Sequence, residues 1–109
     1  PLGYGMPSTT AAFFADSAAF DGPPDGAQNI RSVARYAKRD VLVSGWLEGE
    51  EVIAARGAVM RATVGSGTVV LFGFPVQHRG QSLATFRLLF NALLQAPAEA
   101  PDARAKRRR

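Results

Sequence analysis

The sequence contains no cysteine and a single histidine, His78, and these shortages exclude several kinds of chemistry. Without cysteine the chain forms no disulfide and has no thiolate nucleophile. A zinc site needs three or four ligands of the His, Cys, Asp or Glu kind, which one histidine does not supply. No apolar run approaches the roughly 20 residues that span a bilayer, and no signal peptide is visible. We therefore expect no membrane span and no metal or other cofactor in this chain itself.

The net charge of +4 is unevenly distributed along a chain that has the length of one small domain. Residues 97–109 carry five basic against two acidic residues, whereas residues 1–96 carry eight against seven. A short end rich in Pro, Ala and Arg buries too little apolar surface to order itself. We predict a domain over residues 1–96 and a disordered basic tail over residues 97–109. Weak nucleic-acid binding by this tail is an alternative to a purely solvated terminus. The first residue, Pro1, indicates a fragment of a larger chain.

Secondary-structure signals in the first half are of mixed strength. Cap residues followed by apolar side chains predict a short helix within residues 8–20. Two Gly, two Pro and two Asp predict a loop over residues 21–29. Alternating side chains favour a strand over residues 30–37, and the apolar run at residues 41–47 fits either a strand or a short helix. Acids at the start of residues 49–57 indicate one or two helical turns.

Aromatic and acidic residues in this half have simple structural interpretations. Trp46 and Tyr36 could stack on a sugar or a base, but a lone Trp within an apolar run is more typical of a core or a partner interface. Glu48, Glu50 and Glu51 fit the exposed start of a helix better than a catalytic pair of carboxylates.

The second half of the chain contains the clearest elements. Two β-rich runs around "VGSG" predict a β-hairpin over residues 57–74. Its second strand, residues 69–74, is apolar on both faces, which predicts a position inside a sheet with layers on either side. Gly73 in that strand indicates a close backbone approach or a bend. Apolar residues at helical spacing predict a helix over residues 83–94, ending before Pro97. Together these elements predict a three-layer α/β unit.

A group of polar side chains joins this strand to this helix in "PVQHRGQS". The carboxyl end of a strand is where α/β proteins bind ligands, so this group is the candidate site. The candidate residues, for either a structural or a ligand-contact role, are Gln77, His78, Arg79, Gln81 and Ser82.

Two chemical interpretations of His78 lack a partner residue. As a zinc ligand in a His-x-x-Glu pattern, it is followed by Gln81 where a carboxylate is needed. As a general base it needs a nucleophile within hydrogen-bond reach. Cysteine is absent, and Ser44 and Ser66 both lie outside a Gly-x-Ser-x-Gly frame.

The interpretation that we favour is structural. Arg79 offers five donors to backbone carbonyls or to a carboxylate. Gln77 and Gln81 each have a donor and an acceptor, and Ser82 caps the helix. Anion binding at the helix N-terminus is a lesser alternative. On this interpretation the segment contains no catalytic residue.

Several segments resemble a known family, namely "SGWLEGEE", "GSGTVVLFGFP", "QHRGQ" and "TFRLLFNALL". They are similar to the C-terminal region of large bacterial zinc carboxypeptidases, members of the carboxypeptidase A-like metallopeptidase family. The resemblance covers about residues 3–95 and is most specific over residues 65–94. In that family a catalytic domain precedes a domain similar to class I glutamine amidotransferases. The resemblance therefore implies that residues 1–96 are part of an amidotransferase-like, flavodoxin-like accessory domain.

The resemblance also implies properties of a parent protein. That protein would be a secreted or periplasmic zinc exopeptidase that removes C-terminal residues from peptides, with zinc in its upstream catalytic domain. The family's zinc residues match nothing in this chain. His78 lies near the position of the amidotransferase histidine, but Gly80 replaces the glutamate that should follow and the cysteine is missing. We therefore expect a non-catalytic accessory domain whose partner is the upstream peptidase domain. The alternative is a stand-alone amidotransferase-like hydrolase or transferase that uses His78 and Arg79.

Overall fold

The computed structural model describes residues 2–23, 27–80 and 83–99. These residues form a small α/β fold with a β-hairpin and a C-terminal helix, as predicted. The elements in chain order are β1 (Ile30–Arg35), α1 (Glu50–Ile53), β2 (Gly57–Val64), β3 (Gly67–Phe72) and α2 (Leu83–Glu99). The three strands form one antiparallel sheet with β2 in the centre. Within the described ranges, no helix combines the length and apolar character needed to cross a membrane.

The hairpin of β2 and β3 confirms the clearest prediction. Val64 pairs with Gly67 across a two-residue turn, in which Gly65 has a positive φ of 59°. The ladder continues beyond β3, where the Gly73 N–H donates to the Ala58 carbonyl at 2.8 Å. Local turn chemistry thus sets the register of the whole hairpin.

The core lies where the hairpin meets α2. Ala58, Val59, Phe74 and Leu88 are buried in one cluster, and Val59 has no exposed surface. The N-terminal segment before β1 pairs with the start of β2. Phe20 forms an isolated antiparallel bridge with Gly57, with N···O distances of 2.8 and 2.9 Å.

Gly73 confirms the expected close backbone approach. A Cβ at this position would collide with the carbonyl oxygen of Ala18. The Ala18 N–H donates to the Gly73 carbonyl at 2.6 Å, and the Tyr36 hydroxyl donates to the Ala18 carbonyl at 2.8 Å. The N-terminal segment can dock here only because residue 73 has no side chain.

Two predictions in the first half were wrong. Residues 8–20 form no helix, since Asp16 has a positive φ of 47° and the segment is bound by contacts to the sheet instead. Residues 41–47 form neither a strand nor a helix. Glu50 accepts a hydrogen bond from the Val41 N–H at 2.7 Å, and Trp46 is 84% exposed. The strand at residues 30–37 and the short helix within residues 49–57 are confirmed, as β1 and α1.

The position of β3 differs from the prediction, because it lies at an edge of the described sheet rather than inside it. Val70 and Phe72 pack against the core cluster on the face that contacts α2. Val69 and Leu71 point to the opposite face and remain 44% and 47% exposed. Among the described elements, the long helix α2 packs against the sheet at β3, and a three-layer arrangement is not confirmed.

Helix α2 extends past its predicted end. Its backbone stays helical through Pro97 to Glu99, within the segment that we assigned to the tail. Proline has no N–H to donate inside a helix, which disfavours helical structure at this position. Alanine, the residue with the highest helix propensity, lies on both sides of Pro97 and favours continuation of the helix. The rest of the predicted tail, residues 100–109, lies outside the described residues.

Candidate functional site

The candidate site lies in the connection between β3 and α2, as the sequence indicated. Phe74 is buried at its start and anchors it to the core. Gln81 and Ser82 lie outside the described residues, so the helix cap assigned to Ser82 stays a prediction. The described part of the connection contains the candidate residues Gln77, His78 and Arg79.

His78 contacts an aromatic ring from the N-terminal segment. The rings of His78 and Phe13 are stacked with centroids 3.9 Å apart and an interplanar angle of 7°. The imidazole is half-buried in this arrangement. Stacked aromatic pairs stabilise packing without a proton transfer. The contact therefore gives His78 a structural role, which is to hold Phe13 against the connection.

The backbone after His78 turns sharply. Arg79 and Gly80 both have positive φ angles, of 50° and 71°. With its amide oxygen turned inward, Gln77 accepts hydrogen bonds from both of these N–H groups at 3.3 Å. In this orientation Gln77 pairs with the backbone N–H groups that the turn exposes. The Arg79 side chain is exposed, and its guanidinium has no partner among the described residues.

Thr85 is a site residue that the sequence interpretation missed. It is almost fully buried, and its Oγ1 donates to the Val76 carbonyl at 2.8 Å. This bond ties the first turn of α2 to the connection before it. A threonine inside an otherwise apolar helical stripe was the available signal, because a buried hydroxyl must find an acceptor.

The structure joins no nucleophile to His78. Ser66 lies in the hairpin turn, at the opposite end of β3, and the six-residue strand spans roughly 20 Å. Ser44 lies in the exposed loop before α1. Over residues 2–23, 27–80 and 83–99 there is no cluster of three or more His, Cys, Asp or Glu with metal-binding geometry.

Tyr36 and Trp46 occupy different environments and do not form an aromatic pair. Tyr36 meets Phe14 edge-on, with ring centroids 5.6 Å apart, and its hydroxyl bonds to the Ala18 carbonyl. Burial raises the pKa of the Tyr36 phenol, because the phenolate would lose solvation. Trp46 is exposed and is not part of the core, so the expected core role is wrong.

An exposed apolar surface lies on α2, away from the connection. Leu83, Phe90 and Leu94 are 69%, 54% and 75% exposed. At 100° per residue these three positions fall within about 40° of one another on the helix. We call them the outer α2 stripe. The buried residues Thr85 and Leu88 lie on the opposite side of the helix, so apolar side chains occur on two sides of α2, with the polar residues Arg87, Asn91 and Gln95 between them.

The N-terminal residues adjoin the outer α2 stripe. The Asn91 side-chain amide donates to the carbonyls of Leu2 and Tyr4, at 2.7 and 3.1 Å. Tyr4 and Leu94 line a shallow depression together with Asn91 and Gln95. The exposed Tyr4 ring therefore extends the apolar surface beyond the helix.

Comparisons with protein families, with curated proteins and with solved structures found no match to this chain.

Proposed function

We propose that this chain is a non-catalytic accessory domain of a larger zinc carboxypeptidase-like protein, in which it packs against a neighbouring domain. The outer α2 stripe carries this proposal. A helix with apolar side chains on two opposite sides packs against a neighbour on each side, because water would otherwise contact one of the apolar surfaces. The sequence resemblance supplies the nature of the parent, which removes C-terminal residues from peptides with zinc held in its own catalytic domain.

The sheet supports the same proposal and its finer fold class. Val64, Val69 and Leu71 share the sheet face opposite α2, and all three are substantially exposed in the described part of the chain. A sheet that is apolar on both faces is typical of three-layer α/β domains. We infer that a further layer from the larger protein covers this face and completes a class I glutamine amidotransferase-like domain.

The contacts of His78 support the non-catalytic part of the proposal. Its ring is stacked on Phe13, and Gln77 is engaged by the backbone of the same turn. Both side chains thus have structural partners. In the proposed parent, the reaction centre lies in the peptidase domain, where zinc activates the attacking water.

The proposal is tested first by the coding sequence upstream of Pro1. We expect a domain with a His-x-x-Glu pair and a later histidine. In that longer protein, Phe90→Glu should lower the free energy of unfolding by about 1–3 kcal/mol, because it places an unpaired charge in an interface. Val52→Glu is the matched control, since Val52 is a similarly exposed apolar residue on α1, outside the stripe.

The His78→Ala variant of the same longer protein distinguishes the accessory-domain proposal from a catalytic role for His78. We expect the release of C-terminal residues to continue at the wild-type rate. Loss of turnover in a correctly folded His78→Ala variant would place the chemistry in this chain and contradict the proposal. Equal effects of Phe90→Glu and Val52→Glu would remove its structural support.

A further inference from the structure

The two edges of the described sheet differ in character. The outer strand β1 carries the charged residues Arg31 and Arg35 and has two register irregularities. Charges and bulges are the usual features that stop an edge strand from pairing with another chain. The other outer strand, β3, contains no charged residue and pairs with β2 in an uninterrupted register. Only β3 thus has the features of a strand that accepts a neighbour.

The hairpin register shows which backbone groups of β3 face outward. The Gly73 N–H bonds to the Ala58 carbonyl, so these two residues form a hydrogen-bonded pair. Because such pairs alternate along an antiparallel ladder, the N–H and C=O groups of Val70 point away from β2. No hydrogen bond from the described residues reaches these groups of Val70.

We propose that β3 pairs with β3 of a second copy of this chain, antiparallel about a two-fold axis at Val70. In this register Val70 faces Val70 of the other copy, and Leu71 faces its Val69. The two sheets then join into one continuous sheet through an isologous interface.

The absence of charged side chains on β3 permits a second copy as the occupant. Each chain has a net charge of +4, so like charges along a shared edge would oppose pairing. No charged side chain lies on β3, whereas pairing through β1 would bring arginines of both copies together.

Side-chain matching favours the register centred on Val70. It brings the half-exposed Val69 and Leu71 of each copy against the same two residues of the other. A shift of the axis by one residue toward the turn would instead place Leu71 opposite Gly67. The centred register therefore buries more apolar surface than the register shifted toward the turn.

This inference is independent of the proposed function. Pairing occurs along the edge of the sheet, whereas the outer α2 stripe lies on the far side of the helix that covers one sheet face. A dimer through β3 leaves that stripe free, so the two surfaces can be tested with separate variants.

The test is sedimentation equilibrium of the 109-residue chain across a concentration series. We expect a reversible monomer–dimer equilibrium. Val70→Pro removes one outward N–H and no bond to β2, and proline is tolerated at strand edges. This variant should keep the circular dichroism spectrum and raise the dimer dissociation constant by about tenfold or more. Arg31→Ala, on the opposite edge of the sheet, is the control and should leave the dimer dissociation constant unchanged.

A charge exchange tests the register and does not depend on proline. Val69→Glu and Leu71→Lys, each alone, should weaken the dimer because each buries an unpaired charge. The double variant should restore it, since each glutamate then faces a lysine of the other copy. A chain that stays monomeric at every concentration would overturn the proposal, as would a dimer that survives Val70→Pro. A double variant no tighter than the single ones would overturn the register.

Discussion

Gly73→Ala is the substitution whose effect is most sharply defined by its surroundings. The added Cβ would collide with the carbonyl oxygen of Ala18, and would lie 3.1 Å from that of Ala58 and 3.2 Å from the Tyr36 hydroxyl. Two of these three oxygens belong to the backbone, so no side-chain rotation relieves the clash. Overpacking of this kind lowers the free energy of unfolding by about 1–3 kcal/mol.

The chain could instead release the strain by moving the N-terminal segment away from the sheet. That movement breaks the bond from the Ala18 N–H to the Gly73 carbonyl and the bond from the Tyr36 hydroxyl to the Ala18 carbonyl. Each is worth about 1 kcal/mol net. The chain either keeps the strained contact or moves the N-terminal segment away. Either way, the free energy of unfolding should fall by about 2 kcal/mol.

Urea denaturation measures this loss. For a small protein the free energy of unfolding falls by about 1–3 kcal/mol per molar urea, so the midpoint should drop by about 1 M. Gly67→Ala, in β3, the strand that ends just before Gly73, is the matched control, since its added Cβ meets its nearest neighbour, the Val64 carbonyl oxygen, at 3.5 Å. That contact is ordinary, and we expect a change within about 0.5 kcal/mol. Equal midpoints for the two variants would refute the close approach at Gly73.

Three further substitutions test other contacts. Thr85→Val should lower the free energy of unfolding by about 1–3 kcal/mol, because the partly buried Val76 carbonyl loses its hydroxyl donor; an unchanged urea midpoint would contradict this. Phe13→Ala should lower it by about 1–2 kcal/mol and shift the His78 ring protons in NMR spectra, which would not move if the rings were apart. Burial raises the folded-state pKa of Tyr36 above its ordinary 10.0, so its contribution to stability is complete below that pH and is lost as the pH rises above it. Tyr36→Phe should make the stability less sensitive to pH in that alkaline range, and an unaltered profile would count against the assignment.

The predictable part of the fold is the part decided by neighbouring residues. The hairpin follows from glycines at the turn and from β-rich runs on either side, and both signals lie within 18 residues. The one-turn helix α1 follows from the acids at its start. The segment over residues 8–20 has helix signals of the same kind, yet its aromatic rings and backbone groups bind to residues far along the chain. Tertiary contacts outweigh local propensity there.

The candidate site shows the same division. The position of Gln77, His78 and Arg79 between β3 and α2 could be predicted, because a strand and a helix are recognisable on either side. The partner of His78 could not be predicted, since Phe13 lies 65 positions earlier and nothing local indicates the stack. The edge position of β3 was also missed. An apolar strand predicts neighbours on both sides, but it does not indicate whether the described chain supplies them.

The measurement that tests the central claim most directly is hydroxyl-radical footprinting of Phe90 and Leu94. It should be made on the 109-residue chain and on the longer protein that contains it. If α2 packs against a neighbouring domain, the oxidation rates of both side chains should fall severalfold in the longer protein, while that of Val52 stays constant. Equal rates for Phe90 and Leu94 in the two proteins would contradict a packing role for this chain.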